Sequence, residues 1–189
     1  MIQQAKQVRG GNEFLNAQDI LKNELGVIYG ARVGDLGCGG NGYFTFAVSK
    51  LVGQTGLVYA VDILKMILKN IENRAKMIGL ENIETVWSNL ENYGATKIND
   101  NSLDFVLLVN ILFQNKAPEK IVREANRILK RGGKMLVIDW KDGRFPFGPT
   151  TEMKIKVEDI SDIALGAGLK KTKYFEAGKY HYGIVFEKI

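Results

Sequence analysis

The residues best suited to do chemistry in this chain lie in VGDLGCGGNGYF (residues 33–44), where Asp35 closes an apolar run just ahead of Gly37, Gly39, Gly40 and Gly42. Glycine takes positive φ easily and lets a ligand come close to the main chain, and a helix starting after such a turn presents unpaired N–H groups. Gly37, Gly39 and Gly42 spell G-x-G-x-x-G, the dinucleotide fingerprint, whose phosphates favour a positive helix end. Asp35 puts an anion beside that turn. A carboxylate there suits a ligand that brings a cationic group, and S-adenosylmethionine carries an ammonium and a sulfonium. Twenty residues beyond Gly42, Asp62 ends the apolar segment LVYAVD, where a carboxylate can accept from both hydroxyls of a ribose diol.

Other candidates follow later strands. Asn110 ends LDFVLLVN, a position open equally to ligand binding and to turn formation. Asp139, Trp140 and Lys141 follow the fifth apolar segment and are candidates for the acceptor side. The only histidine, His181, sits in GKYHYG; a lone histidine on a sheet is more often structural than a base. Cys38 reads as a small space-filler inside the glycine turn, since no His or Lys adjoins it to form a thiolate. With a single cysteine and no CxxC, a disulfide framework and a cysteine metal centre are both excluded, and a reducing cytoplasm is expected. We expect no metal site and assign no catalytic base from sequence.

These residues need a scaffold. The 189 residues are 46% hydrophobic and 25% charged, enough for one well-cored domain. The net charge of +5 comes from scattered lysines and arginines, with the densest cluster at Lys170, Lys171 and Lys173; this favours a solvated face over a nucleic-acid surface. The N-terminal MIQQAKQVRGGNEF lacks the pattern of a signal peptide. The longest apolar run, residues 105–113, is too short to span a bilayer.

Apolar spacing predicts an opening helix over residues 13–25, a strand over 31–36, a helix ended by Gly53, and a strand finishing at Asp62. A helix ending at Gly79 and a strand over 83–87 follow. A fourth strand covers 103–109, and Pro118 opens a helix carrying Ile121, Val122, Ala125, Ile128 and Leu129. Gly132-Gly133 then turns into a fifth strand over 134–139. Residues 141–150 hold two of the three prolines and read as a loop at the carboxyl edge of the sheet, where open α/β folds bind ligands. A helix over 157–167 precedes two strands, 170–176 and 180–187, joined as a hairpin, with Tyr180 and Tyr182 expected to pack together against a helix. Strict alternation with right-handed crossovers gives a doubly wound, mostly parallel sheet.

The pattern resembles the class I S-adenosylmethionine-dependent methyltransferases, and among them the small members similar to ubiquinone/menaquinone-biosynthesis methyltransferases. The likeness runs over nearly the whole chain, through VGDLGCGGNGYF, VYAVDILKMIL, VWSNL, LDFVLLVNILF and RILKRGGKMLVIDW. It implies an α/β, Rossmann-like, seven-stranded sheet closed by a C-terminal antiparallel hairpin. The implied organisation is a single methyltransferase domain over 1–189, with a helical segment (1–30) ahead of the core (31–189). It further implies S-adenosyl-L-methionine as cofactor. Asp35 would serve the methionyl ammonium, Gly37, Gly39 and Gly42 would lie under the ligand, and Asp62 would grip the ribose. Ile63 would lie on the adenine face, and Asn89, Leu90 and Asn110 would complete the pocket.

Two positions depart from that family's pattern. Ser88-Asn89 stands where an acid often accepts from the adenine amine, so Asn89 would accept without charge assistance. The glycine turn also carries one extra residue, which Gly40-Asn41 would absorb as a wider loop, with Asn41 able to take a left-handed conformation.

A small-molecule acceptor is expected. No N-P-P-Y-type segment follows the fourth strand, which continues VNILFQ and so disfavours a nucleic acid. Two other readings stay open: a nicotinamide-dependent oxidoreductase using the same glycines and Asp62, and a non-catalytic S-adenosylmethionine-binding partner subunit.

Overall fold

The computed structural model describes residues 11–189. The first ten residues of the expected N-terminal segment, and most of the stretch on which a leader was excluded, lie outside the described residues.

Seven strands form one sheet: β1 (Arg32–Leu36), β2 (Leu57–Asp62), β3 (Ile83–Trp87), β4 (Leu103–Val109), β5 (Leu129–Trp140), β6 (Leu169–Glu176) and β7 (His181–Lys188). Their order is β3-β2-β1-β4-β5-β7-β6, with β1 to β5 parallel and β7 antiparallel to both β5 and β6. This is the expected Rossmann-like sheet with its terminal hairpin. The order in which strands are added reverses between β1 and β4, so the carboxyl ends of those parallel strands open the crevice in which such sheets bind ligands.

Near-continuous apolar runs make the central strands, because helices cover both faces. On one face lie α1 (Ala17–Asp19), continuing as a wider π turn over Ile20–Leu25, then α2 (Tyr43–Val52) and α3 (Lys65–Met77). The opposite face carries α4 (Pro118–Ile128) and α5 (Val157–Gly166), whose Ile121, Val122, Ala125, Ile128, Ile160 and Ala164 are buried with Leu36, Val106 and Val137. Each fully buried Leu or Ile of this kind contributes roughly 1.5–3 kcal/mol.

Three expectations need correction. The opening helix begins at Ala17, not at residue 13: the Asn16 side chain accepts from the Asp19 N–H at 3.2 Å as an N-cap, and residues 12–14 form a separate 3-10 turn. β5 starts at Leu129 and contains Gly132-Gly133. Pairing jumps from Leu103↔Leu129 to Phe105↔Lys134, so residues 130–133 bulge out of the ladder instead of preceding the strand. Tyr180 lies outside β7 and packs on the rings of Phe14, Phe145 and Phe147, while Tyr182 alone reaches the helical layer and donates to the Ile155 carbonyl at 3.0 Å.

The long connection between β3 and β4 is tied down by a buried carboxylate. Glu124 on α4 is fully buried and accepts from the Gly94 N–H (2.8 Å), Thr96 Oγ1 (2.6 Å) and the Arg127 guanidinium (2.7 and 2.9 Å). Arg127 also donates to the Ile98 carbonyl at 2.8 Å and pairs with Asp100. Burial opposes ionisation of Glu124, yet its bonds to Arg127, Thr96 and Gly94 hold it below the usual carboxylate value. Removing one member of a buried ion pair leaves the other uncompensated. Glu124→Ala is therefore expected to lower unfolding stability by roughly 3–5 kcal/mol. Urea denaturation checks it, and a midpoint unchanged from wild type would contradict the assignment.

Candidate functional site

The glycine turn is held from β2. The Gly37 and Cys38 N–H groups both donate to the Val61 carbonyl, at 2.8 and 3.0 Å, and the Gly39 N–H donates to Asp62 Oδ2 at 3.2 Å. Gly42 donates to the Gly39 carbonyl at 3.1 Å, closing a tight turn over residues 39–42, and then caps α2 with φ 53°. The extra residue is absorbed inside that turn. Left-handed conformations fall on Gly39 and Gly42 rather than on Asn41, whose carbonyl accepts from Arg74 at 3.0 Å.

The glycines divide into two kinds. A Cβ on Gly37 would lie 2.1 Å from Ile111 Cδ1, and one on Gly42 would lie 2.9 Å from the Phe46 ring, so both are required by packing. A Cβ on Gly39 or Gly40 would meet nothing within 4 Å. The open main chain of the turn is therefore Gly39-Gly40.

Two hollows flank this turn. One, of about 170 Å³, is lined by Gly11, Asn12, Cys38 and residues 39–43. The other, of about 70 Å³, is lined by Gly37, Asp62, Ile63, Ser88, Asn89, Leu90 and Ile111, among others. Asp62 joins them: one oxygen takes the Gly39 N–H and the other the Leu64 N–H at 2.9 Å. The second bond is a local turn at the strand end, and α3 itself is capped at Leu64. Ile63 is half exposed above the smaller hollow and Leu90 is buried under it. Asn89 Oδ1 already accepts from the Glu91 N–H at 3.0 Å, while the neighbouring Ser88 hydroxyl is buried with no partner among the described residues.

Asp35 is buried beneath the turn and lines neither hollow. Its carboxylate accepts from Thr45 Oγ1 at 2.5 Å. Burial pushes its pKa up to about 6, opposed by the Thr45 bond and helped by the nearby Asp62 charge. Burial also raises the Cys38 thiol, with Asp35 and Asp62 adding to the shift, which leaves it inert as a nucleophile. Asn110 has φ 54°, donates from Nδ2 to Asn12 Oδ1 at 2.8 Å, and keeps a buried Oδ1 without a partner among the described residues. It is a turn former and an available acceptor at once.

The acceptor-side candidates separate. Asp139 points into the protein, where it accepts from the Phe113 and Trp140 N–H groups at 3.2 and 2.8 Å, and burial raises its pKa to about 7. Lys141 is bound to the final hairpin, donating to the Gly178 carbonyl at 2.9 Å and pairing with Glu176. Trp140 and His181 stand opposite each other in the β5–β7 ladder with ring centroids 4.3 Å apart, and both are almost completely buried. Desolvation lowers the His181 pKa to about 4, assisted by the positive charges of Lys141 and Lys154. Gly11 and Asn12 carry no sequence signal for this site, since only tertiary packing brings them to the turn, whereas Ser88 lies beside Asn89 where the sequence already points. Among the described residues, no group of three or more His, Cys, Asp or Glu could hold a metal ion, and no helix is long and apolar enough to cross a membrane.

Comparison with known proteins agrees with this geometry. Residues 16–148 match the ubiE/COQ5 methyltransferase family. A ubiquinone/menaquinone biosynthesis C-methyltransferase from Cronobacter sakazakii is 32% identical over 158 residues, which is 83% of this chain and 59% of that relative's length. A SAM-dependent methyltransferase from Aquifex aeolicus superposes with a TM-score of 0.83 at 27% identity, covering 95% of this chain and 93% of its own. The [4+2]-cyclase SpnF shares the fold at 14% identity (TM-score 0.74, covering 90% and 80% of the two chains), so the fold by itself does not set the reaction.

Three of the perturbed groups, Asp35, Asp139 and His181, pull stability in opposite directions with pH. Asp35 and Asp139 hold protons more tightly when folded, so their contribution is full below about 4 and is lost as pH rises through about 6 and 7. His181 holds its proton less tightly when folded, so its contribution is full above 6.5 and is lost as pH falls toward about 4. Between about pH 5 and pH 8, Asp139→Asn should flatten the loss of stability that the wild type shows on going alkaline. Denaturation at the two pH values checks it, and an equally steep dependence in the variant would refute the role given to Asp139.

Proposed function

Because the chain belongs to the ubiE/COQ5 methyltransferase family, we propose that it transfers a methyl group from S-adenosyl-L-methionine to a small-molecule acceptor. In this reading residues 31–189 form one methyltransferase core preceded by the helical segment 1–30, and the protein works in the cytoplasm, in keeping with its single cysteine. The observation that carries the reading is the bare Gly39-Gly40 main chain flanked by two hollows that Asp62 joins.

The donors and acceptors present suit that cofactor. The lone pairs of Asp62 not taken by Gly39 and Leu64 would accept from the ribose hydroxyls. Ile63 would lie against one adenine face, with Leu90 beneath. The unpartnered Ser88 hydroxyl and the spare lone pair of Asn89 would meet the polar edge of the base. Gly39 and Gly40 would admit the ligand to the main chain, while Gly37 and Gly42 hold the turn's shape. Asp35 would act from below through its field: a cationic ammonium above the turn favours its ionised form and would draw its raised pKa down. Asn110 Oδ1 would accept from the same end of the ligand.

When bound, the cofactor supplies an electrophilic methyl on a sulfonium that leaves as a neutral thioether, so no acid is needed at the leaving group. Catalysis by this chain is then chiefly positioning. The ends of β1 and β2 hold the glycine turn and Asp62 together and would thereby orient the bound cofactor.

Titration calorimetry with S-adenosylhomocysteine and with NAD separates the readings. S-adenosylhomocysteine should bind, Asp62→Ala should weaken it by roughly tenfold or more through loss of charge-assisted hydrogen bonds, and NAD should not bind. Tight NAD binding instead would overturn the proposal in favour of an oxidoreductase. Gly40→Ala should unfold like wild type yet bind S-adenosylhomocysteine less well, because its methyl group would enter the open space over the turn. Cofactor binding without turnover on a broad acceptor panel would indicate a partner subunit.

A further inference from the structure

The helical face formed by α4 and α5 is divided by charge. Both helices leave the carboxyl edge of the sheet after a parallel strand and run toward its amino edge, side by side. Asn126 of α4 donates to the Ala167 carbonyl at the end of α5 at 2.8 Å, which ties the two into one surface. On the exposed side, α4 offers Lys116 just ahead of it, then Lys120 and Arg123, whereas α5 offers Glu158, Asp159 and Asp162. None of these forms an ion pair among the described residues. Acids in the first turn of α5 suit the positive end of its dipole, but Lys116 and Lys120 stand at the same end of α4, where cations are unfavourable. Local helix stability does not account for them. Over α4 runs a trough of about 530 Å³, lined by Tyr93 from the β3–β4 connection, by Arg123, Asn126 and Arg127, and by Ile163 and Gly166 of α5. The Arg123 guanidinium lies 4.6 Å from the centre of the Tyr93 ring, which holds it in place without taking up its hydrogen-bond donors. Exposed apolar area is added by Tyr93 itself and by Leu165 on α5.

We propose that a second copy of this chain docks on this face, with α5 of each copy lying in the trough over α4 of the other. The cations and the acids both cluster toward the carboxyl-edge ends of their helices. They meet only if those ends stay level, so the two-fold axis must run along the helices, through the groove between α4 and α5. Rotation about it sets α4 of one copy against α5 of the other, parallel and in step. With Pro118 and Val157 level, Arg123 comes opposite the partner's Asp162, both at the crest of their helices, and Lys120 falls beside the partner's Glu158. Glu119 and Lys156, whose signs run against those of their neighbours, come together near the axis. The exposed Leu165 reaches the Tyr93 side of the partner's trough. Each contact occurs twice, as an isologous interface requires, and the matched charges set both the partner and the register. The glycine turn and its two hollows lie outside this face and stay open in the pair.

Sedimentation equilibrium over a range of protein concentrations tests this. The wild-type chain should show a monomer–dimer equilibrium that weakens as salt is added. Lys120→Glu with Arg123→Glu turns both helices acidic, and Glu158→Lys with Asp162→Lys turns both basic. Each of these variants alone should dimerise roughly a hundredfold more weakly, because like charges then face each other across the axis. Mixed in equal amounts, the two should pair with each other, and a chain carrying all four changes should dimerise like wild type. The substituted side chains are exposed, so urea midpoints should stay close to wild type and show that the variants are folded. A wild-type chain that stays monomeric at every concentration would overturn the proposal. So would a dimer that neither reversal weakens, which would place the contact on another surface, or two reversed variants that do not associate when mixed.

Discussion

One carbonyl oxygen organises this protein. The Val61 carbonyl receives both the Gly37 and Cys38 N–H groups, and so folds the chain leaving β1 back over the end of β2. Everything at the site inherits its place from that fork. It sets Gly39 within reach of Asp62, starts the turn that lets Gly42 launch α2, and leaves the main chain of Gly39-Gly40 uncovered. Ile111, at the end of β4, fills the space that a side chain at Gly37 would need, so the third neighbouring strand is locked to the same point. The uncovered surface of the turn is thus backbone held by backbone, and it needs few side chains of its own.

Buried charge is handled in two contrasting ways. Glu124 is surrounded by donors, including a guanidinium, and serves to fasten the β3–β4 connection. Asp35 and Asp139 are just as buried but have only neutral hydrogen-bond donors, Thr45 for the first and two amides for the second, so their carboxyls are driven toward neutrality. The fully satisfied carboxylate lies away from the glycine turn, whereas Asp35 is buried beneath it and Asp139 at the end of β5. Strain of this kind is tolerated where a ligand's charge can relieve it. Asp35 is placed to receive such relief; Asp139 instead fixes the short turn after β4.

Much of this was legible in the sequence. Alternation of apolar segments with glycine-ended helices fixes the order of elements, and the placement of Asp35, the glycines and Asp62 follows from the strand ends they occupy. What could not be read depends on contacts distant in sequence or on local competition. Phe14 fits the helical spacing, but the Asn16 cap wins and starts the helix later. Gly132-Gly133 has turn composition, yet the bulge lets β5 run through it. Asn41 can adopt a left-handed conformation, but its glycine neighbours adopt it at lower cost. The role of Gly11 as a cover over His181, some 170 residues away in sequence, carries no local signal at all.

The slot taken by β7 has a consequence for how the molecule assembles. β7 is made after β6 but lies between β5 and β6, and it brings His181 opposite Trp140. Until it arrives, β6, with the exposed Lys170, Lys171 and Lys173, has no partner in the sheet and cannot dock on its own. The β5–β7 side of the sheet can therefore pair only after the glycine turn and its flanking strands have been made. Its completion waits on contacts of long sequence separation, the slow class of folding event. In the meantime the lysines keep the waiting strand charged, which discourages it from pairing with a neighbouring chain.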